Sequence, residues 1–448
     1  MAATPQPFTP SRAIDEIADF ITDPVDAAHF PDHRLRFRND RAAAQLGLDN
    51  LSDAAWLDHF GRFAPLDGSL PQPLALRYHG HQFRVYNPDI GDGRGFLFAQ
   101  CRDDTGRLMD LGTKGTGPTP YSRFGDGRLT LKGAVREILA TEMLEALGVA
   151  TSRSFSVIET GEALHRGDEP SPTRSAVLVR LNHGHIRIGS FQRLATLGQT
   201  TELVRLVGYC LKHYFGEEMG SDGPARFLGY VAQSTARMAA SFMAAGFVHG
   251  VLNSDNINIT GESFDYGPWR FAPTFDADFT AAYFDSASLY AFGRQAEAIH
   301  WDVVQLAVAL QGLADYDALA AAVDCFAPTY RETIIDKMMW RLGVVPMGHE
   351  ANIALVQAME SALVASQCPL DQFFFDWRGG DLRRENSAYA TADFGAFRVA
   401  VAPFGPSPNR DHRYWSDAGP CSMLIDEPSK RSWRWWTGRP ISTCKAGR

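Results

Sequence analysis

Hydrophobic periodicity in this chain changes once, near residue 200. Before that point the runs GFLFAQCRD and RLMDLGTKG bracket DDTG between residues 95 and 115, which predicts a hairpin whose second strand ends near Lys114. A helix is predicted over 129–147, with Val135, Ile138, Leu139, Met143 and Leu147 on one stripe and Gly148 as its stop. SFSVIET and SAVLVRL predict a further strand pair. After residue 200 the pattern is helical, as in TELVRLVGYCLKHYF and in VAQSTARMAASFMAAG, which stops at Gly246. Strands first and helices second describe an α+β chain in two lobes.

The segments follow from that change. Residues 1–75 read as an N-terminal extension in which LSDAAWLDHFGRF forms a helix packed on the outside of the molecule. A strand-rich lobe occupies 76–195, a helix-rich lobe 196–365, and a C-terminal extension rich in aromatics, Gly and Pro 366–448, wrapping over the helical lobe. With 448 residues, 45% of them hydrophobic, the chain can bury cores in each lobe without staples. The six cysteines show no C-x-x-C spacing, so neither a disulfide scaffold nor a zinc site is expected. A net charge of -9 argues against nucleic acid or an anionic membrane as partner. No apolar run reaches membrane-spanning length and the first twenty residues lack a leader's apolar core, so a cytoplasmic protein is expected.

Between the predicted helix ending at Gly246 and the next elements lies HGVLNSDNINITGESFDYGP, residues 249–268. Kinase-like phosphotransferases carry H-x-D-x-x-x-x-N and then D-F-G, in which the first Asp takes a hydroxyl proton and the Asn and later Asp hold metal. Here His249 and Asn256 keep the spacing and Asp265-Tyr266-Gly267 replaces the triplet, but Val251 occupies the position of the base. GDGR occurs twice, at 91–94 and 125–128. Each piece alone has an ordinary reading: GDG as a turn, Lys114 as a surface lysine, Glu137 as a solvated flank, Arg180 and Arg187 as ion-pair formers, and Asn253, Asp255 and Asn256 as loop residues. His249 alone reads as a structural histidine. In this order they form a nucleotide site: glycine turns offer N–H groups to phosphate, Lys114 a charge fixed by Glu137, and Asn256 with Asp265 oxygen ligands for Mg²⁺ or Mn²⁺.

The runs YHGHQF, GDGRG, KGTGPTPYSRFGDGR, REILATE, HIRIGSF, HGVLNSDN, DYGPWRF and YAFGRQ, spread over about residues 77–310, resemble those of the selenoprotein O family, also called YdiU. That resemblance implies a bilobal protein-kinase-like fold that binds ATP reversed. AMP rather than the γ-phosphoryl group then passes to Ser, Thr or Tyr hydroxyls of proteins. It implies that Gly91, Gly93, Arg94, Lys114, Asp126 and Gly127 bind nucleotide, that Glu137 pairs with Lys114, and that Arg180 and Arg187 bind phosphate. Asp255 would be the base, and Asn256 and Asp265 would hold the metal, Asp265 also touching nucleotide. The chain departs from many members at its end, ISTCKAGR, where one cysteine, Cys444, stands in place of a Cys-x-x-Cys or selenocysteine tail, and it lacks the His-Ser-Asp that often precedes YAFGRQ.

Val251 cannot accept a proton, so a hydroxyl attacking the γ-phosphorus would find no base in the ordinary place. Asp255, four residues on, would serve an α-phosphorus instead, and the departing pyrophosphate would need the cations Lys114, Arg94, Arg180 and Arg187. A phosphotransferase with a displaced base and a non-catalytic nucleotide-binding scaffold are the alternatives. UTP in place of ATP stays open.

Overall fold

Strands Leu97–Arg102 and Leu108–Lys114 form the expected hairpin. Asp103 closes its turn by accepting from the backbone N–H of Thr105 at 2.9 Å and of Arg107 at 3.0 Å. In the computed structural model, which describes residues 7–167 and 169–408, this hairpin is the middle of a nine-stranded sheet. Strands Arg153–Leu164 and Thr173–Asn182 are the second expected pair, antiparallel, with Thr173–Asn182 laid against Leu108–Lys114. Every residue of Leu108–Lys114 is buried, because both faces of the sheet are covered.

On one face lies helix Leu131–Ala146, whose Ala134 and Ile138 pack with Val157, Ala176 and Leu178. Its buried stripe differs from the one predicted. Leu139 is 37% exposed, while Glu137, Ala140 and Leu144 are buried. The reason is that this helix serves two cores, since Ala140, Met143 and Leu144 belong to the apolar cluster of the helical lobe.

The other face is covered by the N-terminal stretch. Trp56 and Phe60 of helix Asp53–Phe60 are fully buried among Phe98 and Phe155, and the Trp56 indole donates to Ser156 Oγ at 2.9 Å. Strands Thr9–Ser11, Thr22–Pro24, Arg34–Arg38 and Leu74–Leu76 from the same stretch pair into the sheet.

The helical lobe is organised around helix Gly223–Ala245, which ends at Gly246 in the left-handed conformation (φ 68°), as its sequence predicts. Helices Ile188–Thr196, Gln295–Ala309 and Phe326–Leu342 pack with it through one apolar cluster. The helix predicted over 201–215 forms as Thr200–Cys210 and widens to a π turn over Leu211–Phe215. Helix Asp393–Val401 packs against His349–Ser366, so the C-terminal part does wrap this lobe as far as it is described. Cys421, Cys444 and the tail ISTCKAGR lie outside the described residues. Among those residues no helix is long and apolar enough to cross a membrane.

A two-stranded ribbon of Phe247–Val248 and Arg270–Phe271 brackets residues 249–269. It holds that loop at the base of the sheet lobe.

Candidate active site

Between the lobes is a cleft of about 770 Å³. The first GDGR brings Gly91, Gly93 and Arg94 to its wall, and the second brings Asp126 and Gly127. Lys114 stands at the end of its strand, Arg180 and Arg187 on the sheet side, and Asp255, Asn256 and Asp265 on the floor. Glu137 is the one residue of the expected set that does not line the cleft. It lies behind Lys114, buried, with its carboxylate bonded to the Lys114 ammonium. The solvated flank read from its position is therefore a buried ion pair.

The two GDGR turns line the same cleft and are each packed against the 117–121 segment. Gly117 N–H donates to Gly127 C=O at 3.1 Å, and Tyr121 folds over the first loop, where a Cβ on Gly91 would lie 2.4 Å from its ring. Gly127 sits at φ 66°, and a Cβ there would stand 2.1 Å from the Gly117 backbone, so no other residue fits. Asp126 accepts from Arg128 N–H at 2.9 Å and pairs with Arg166 at 2.9 Å at the rim.

Three cations meet at Asp265. Arg180 bonds its Oδ1, Lys114 Nζ is 3.6 Å from the same oxygen, and Arg187 Nη1 donates to Oδ2 at 3.3 Å. Burial raises the Asp265 carboxyl, but Arg180, Lys114 and Arg187 outweigh it and hold the group well below the usual carboxylate range. Arg187 is fully buried, with its guanidinium 4.2 Å above the Tyr78 ring and its Nε and Nη2 without a hydrogen bond, Nη2 having only the Asp92 carboxylate nearby at 3.6 Å. A buried guanidinium with two open donors is suited to an anion such as phosphate.

Asp255 is set differently. Arg187 Nη1 donates to its backbone carbonyl at 2.9 Å rather than to its carboxylate. Burial pushes the carboxyl up to about 6 against the pull of Arg187, and Oδ1 is buried with no hydrogen-bond partner. Val251 also lines the cleft. His249 is structural: Nδ1 accepts from Val251 N–H at 3.4 Å, which leaves Nε2 to donate to Phe264 C=O at 2.9 Å beside Asp265. Asn253 is structural too, accepting from Tyr290 Oη at 2.7 Å.

Asn256 donates its amide to Val251 C=O at 3.1 Å, so its carbonyl oxygen is the end left for a cation. With Asp265 it forms an oxygen-only donor pair, which fits Mg²⁺ or Mn²⁺. Among the described residues no group of three or more His, Cys, Asp or Glu converges as a metal site, so remaining ligands would come from water and phosphate.

Three residues of the site escaped the sequence reading. Asp92, inside the first GDGR, accepts from Leu76 N–H at 3.0 Å and lies 3.6 Å from Arg187 Nη2. Gln82 lines the cleft with Nε2 3.4 Å from Asp255 Oδ2. His185 Nε2 takes the Arg180 Nε–H at 3.2 Å. All three stand inside motifs already singled out, namely GDGR, YHGHQF and HIRIGSF.

Residues 8–393 match the family described as protein adenylyltransferase SelO. A protein nucleotidyltransferase YdiU of Synechocystis is 44% identical over 411 residues, covering 87% of this chain and 85% of the relative. Proteins of the same name from Synechococcus elongatus and Gloeobacter violaceus are 48% and 47% identical, covering 75% and 81% of this chain and 68% and 75% of theirs. Among solved structures, a rhoptry antigen kinase domain of Toxoplasma gondii aligns at 10% identity and a TM-score of 0.29, over 59% of this chain and 83% of that one. The assignment rests on the sequence relatives: the chain is a nucleotidyltransferase that belongs to the protein adenylyltransferase SelO family.

Proposed function

We propose that the chain transfers AMP from ATP to Ser, Thr or Tyr hydroxyls of proteins, itself included, and releases pyrophosphate. The observation that carries this reading is the exchange of roles on the cleft floor. Val251 stands where a kinase base would, and Asp255 four residues on has a buried, unpartnered carboxylate oxygen and a pKa raised to about 6. A carboxyl with a pKa of about 6 is still mostly ionised at pH 7 and, being more basic than an ordinary carboxylate, accepts a hydroxyl proton more readily.

Lys114, Arg180 and Arg187, which now neutralise Asp265, are the charges that a triphosphate would take over. With the nucleotide reversed, they would lie on the β and γ oxygens, where charge accumulates as pyrophosphate leaves. Gly91, Gly93 and Gly127 would let the backbone approach those oxygens, and Arg94 and Asp126 would contact the nucleotide from the rim. Glu137 keeps Lys114 in place. Asn256 and Asp265 would hold Mg²⁺ or Mn²⁺, which when bound neutralises phosphate charge.

Incubation with α-labelled and, separately, γ-labelled ATP tests the reading. Label from the α-phosphate on protein is the expected result. Transfer of γ-label alone would establish the phosphotransferase with a displaced base, and transfer of neither would establish the scaffold.

A further inference from the structure

YHGHQF has so far supplied Tyr78 and Gln82 to the cleft. It forms the first strand of a small hairpin, Gly80–Gln82 paired with Val85–Asn87. At its turn, Phe83 and Arg84 lie at φ 52° and 63°, a left-handed pair that bulky side chains adopt only under constraint.

The constraint comes from the other lobe. Phe83 N–H donates to Asn253 Oδ1 at 3.0 Å and its ring lies 5.1 Å from Tyr290. Arg84 pairs with Glu297 at 2.9 Å. His81 N–H donates to Ser254 Oγ at 2.7 Å. The hairpin is thus fastened residue by residue to the loop that carries Asp255.

Gln82 sits between those fastenings. Its Nε2 faces Asp255 Oδ2 at 3.4 Å, and its Oε1 accepts from Asn87 Nδ2 at 2.9 Å. A carboxylate only accepts, so the amide nitrogen must face Asp255 and the carbonyl must face Asn87. Asp255 Oδ1 remains, buried and unpartnered. Gly80 has no side chain there, and a Cβ on it would stand 3.0 Å from Oδ1.

We propose that Gln82, braced by Asn87, positions Asp255, holding Oδ2 so that Oδ1 is the oxygen presented to the acceptor hydroxyl. The inference rests on the reading of Asp255 as base. In the step it serves, the hydroxyl proton passes to Asp255 Oδ1 and the hydroxyl oxygen bonds the α-phosphorus. The bond from that phosphorus to the bridging oxygen breaks, and its electrons leave with pyrophosphate.

The test replaces the amide by a hydrocarbon of similar size, Gln82→Leu. AMP transfer at saturating ATP should fall roughly ten- to a hundredfold, the range seen when a group that orients a functional side chain is lost. ATP affinity by calorimetry and thermal stability should stay at parent values. Asn87→Ala should move turnover the same way by less, and it carries the test if Gln82→Leu does not fold.

A Gln82→Leu, Asp255→Asn double variant should be no slower than Asp255→Asn alone, because one residue acts through the other. An additive loss, or loss of ATP binding and stability together with turnover, would overturn the positioning role. So would parent turnover in Gln82→Leu beside a crippled Asp255→Asn, and the base would survive that result. Parent turnover in Asp255→Asn would instead remove the base itself, and this inference with it.

Discussion

Asp255 and Asp265 share one cleft floor and one arginine, yet their surroundings treat them in opposite ways. At Asp265 burial is outweighed by Arg180, Lys114 and Arg187, and the carboxyl is held well below its ordinary range. At Asp255 burial prevails and the carboxyl rises to about 6. Arg180 and Lys114 make most of the difference, since both reach the Asp265 carboxylate and neither reaches that of Asp255, while Arg187 adds to it by giving a hydrogen bond to the Asp265 carboxylate but only to the backbone carbonyl of Asp255. Two carboxylates driven apart in acidity can hold different tasks at one pH. The Asp265 side is compensated before any ligand arrives and is suited to binding; the Asp255 side is left uncompensated and is suited to chemistry.

The largest effect should come from breaking the compensated side. Asp265→Ala leaves three buried cations, Lys114, Arg180 and Arg187, without the carboxylate they share, so we expect loss of all measurable transfer and a destabilisation of about 3–5 kcal/mol, the range for removing one partner of a buried ion pair. The sign of the pH dependence follows. A folded-state pKa below the ordinary 3.8 adds stability above that value and loses it as pH falls through the folded one, so the parent's advantage over Asp265→Ala should shrink in acid. Urea unfolding at neutral and acid pH checks both, and a variant as stable as the parent would erase the contrast.

Asp255→Asn should behave in the reverse way. Turnover should fall about 10²- to 10⁴-fold with ATP affinity nearly intact. The raised carboxyl favours the folded state below 3.8 and opposes it as pH rises through about 6, so the variant should be more stable than the parent at pH 7, by at most roughly 3 kcal/mol for a shift near two pH units. Parent turnover in the limit of low substrate should drop about tenfold per unit below pH 6, and the Asn variant should lack that limb. A lower melting temperature in Asp255→Asn would mean that the carboxylate braces the loop.

What the sequence disclosed and what it hid divide by distance along the chain. The 95–115 hairpin, the stop at Gly246 and the spacing from His249 to Asn256 depend on residues a few positions apart, and all are found as read. Strands Thr9–Ser11 and Thr22–Pro24 have three residues each, too short for alternation to register, and form because the sheet edge is there to pair with. The burial of Glu137 depends on a lysine 23 residues away, and the contact of Gln82 with Asp255 spans 173. Motif recognition marked those stretches without saying what each member touches. The contrast between Asp255 and Asp265 was least legible of all, because it depends on which carboxylate Lys114, Arg180 and Arg187 reach in space.

The smallest expected effect tests whether that guanidinium wall is itself oriented from behind. Arg180 Nε can only donate, so His185 Nε2 must accept at 3.2 Å, and the ring proton lies on Nδ1, facing Asp110 Oδ2 at 3.3 Å. Gln100 Nε2 holds the other Asp110 oxygen at 2.8 Å. Burial, then Arg180 and Arg187, hold the His185 pKa below its ordinary value against the pull of Asp110, so the ring is neutral, as this pairing requires. Gly112 admits the ring, since a Cβ there would lie 2.4 Å from Nε2. His185→Leu removes one hydrogen bond to Arg180 and leaves its bond to Asp265, so ATP affinity should weaken by about 1 kcal/mol, roughly fivefold, with turnover at saturation little changed. Gly112→Ala, which displaces the ring instead of deleting it, should cause a loss of the same kind. Calorimetry on both variants decides the matter: if affinity holds at the parent value in each, Arg180 is oriented by Asp265 alone, and the compensated side of the cleft ends at the charges that line it.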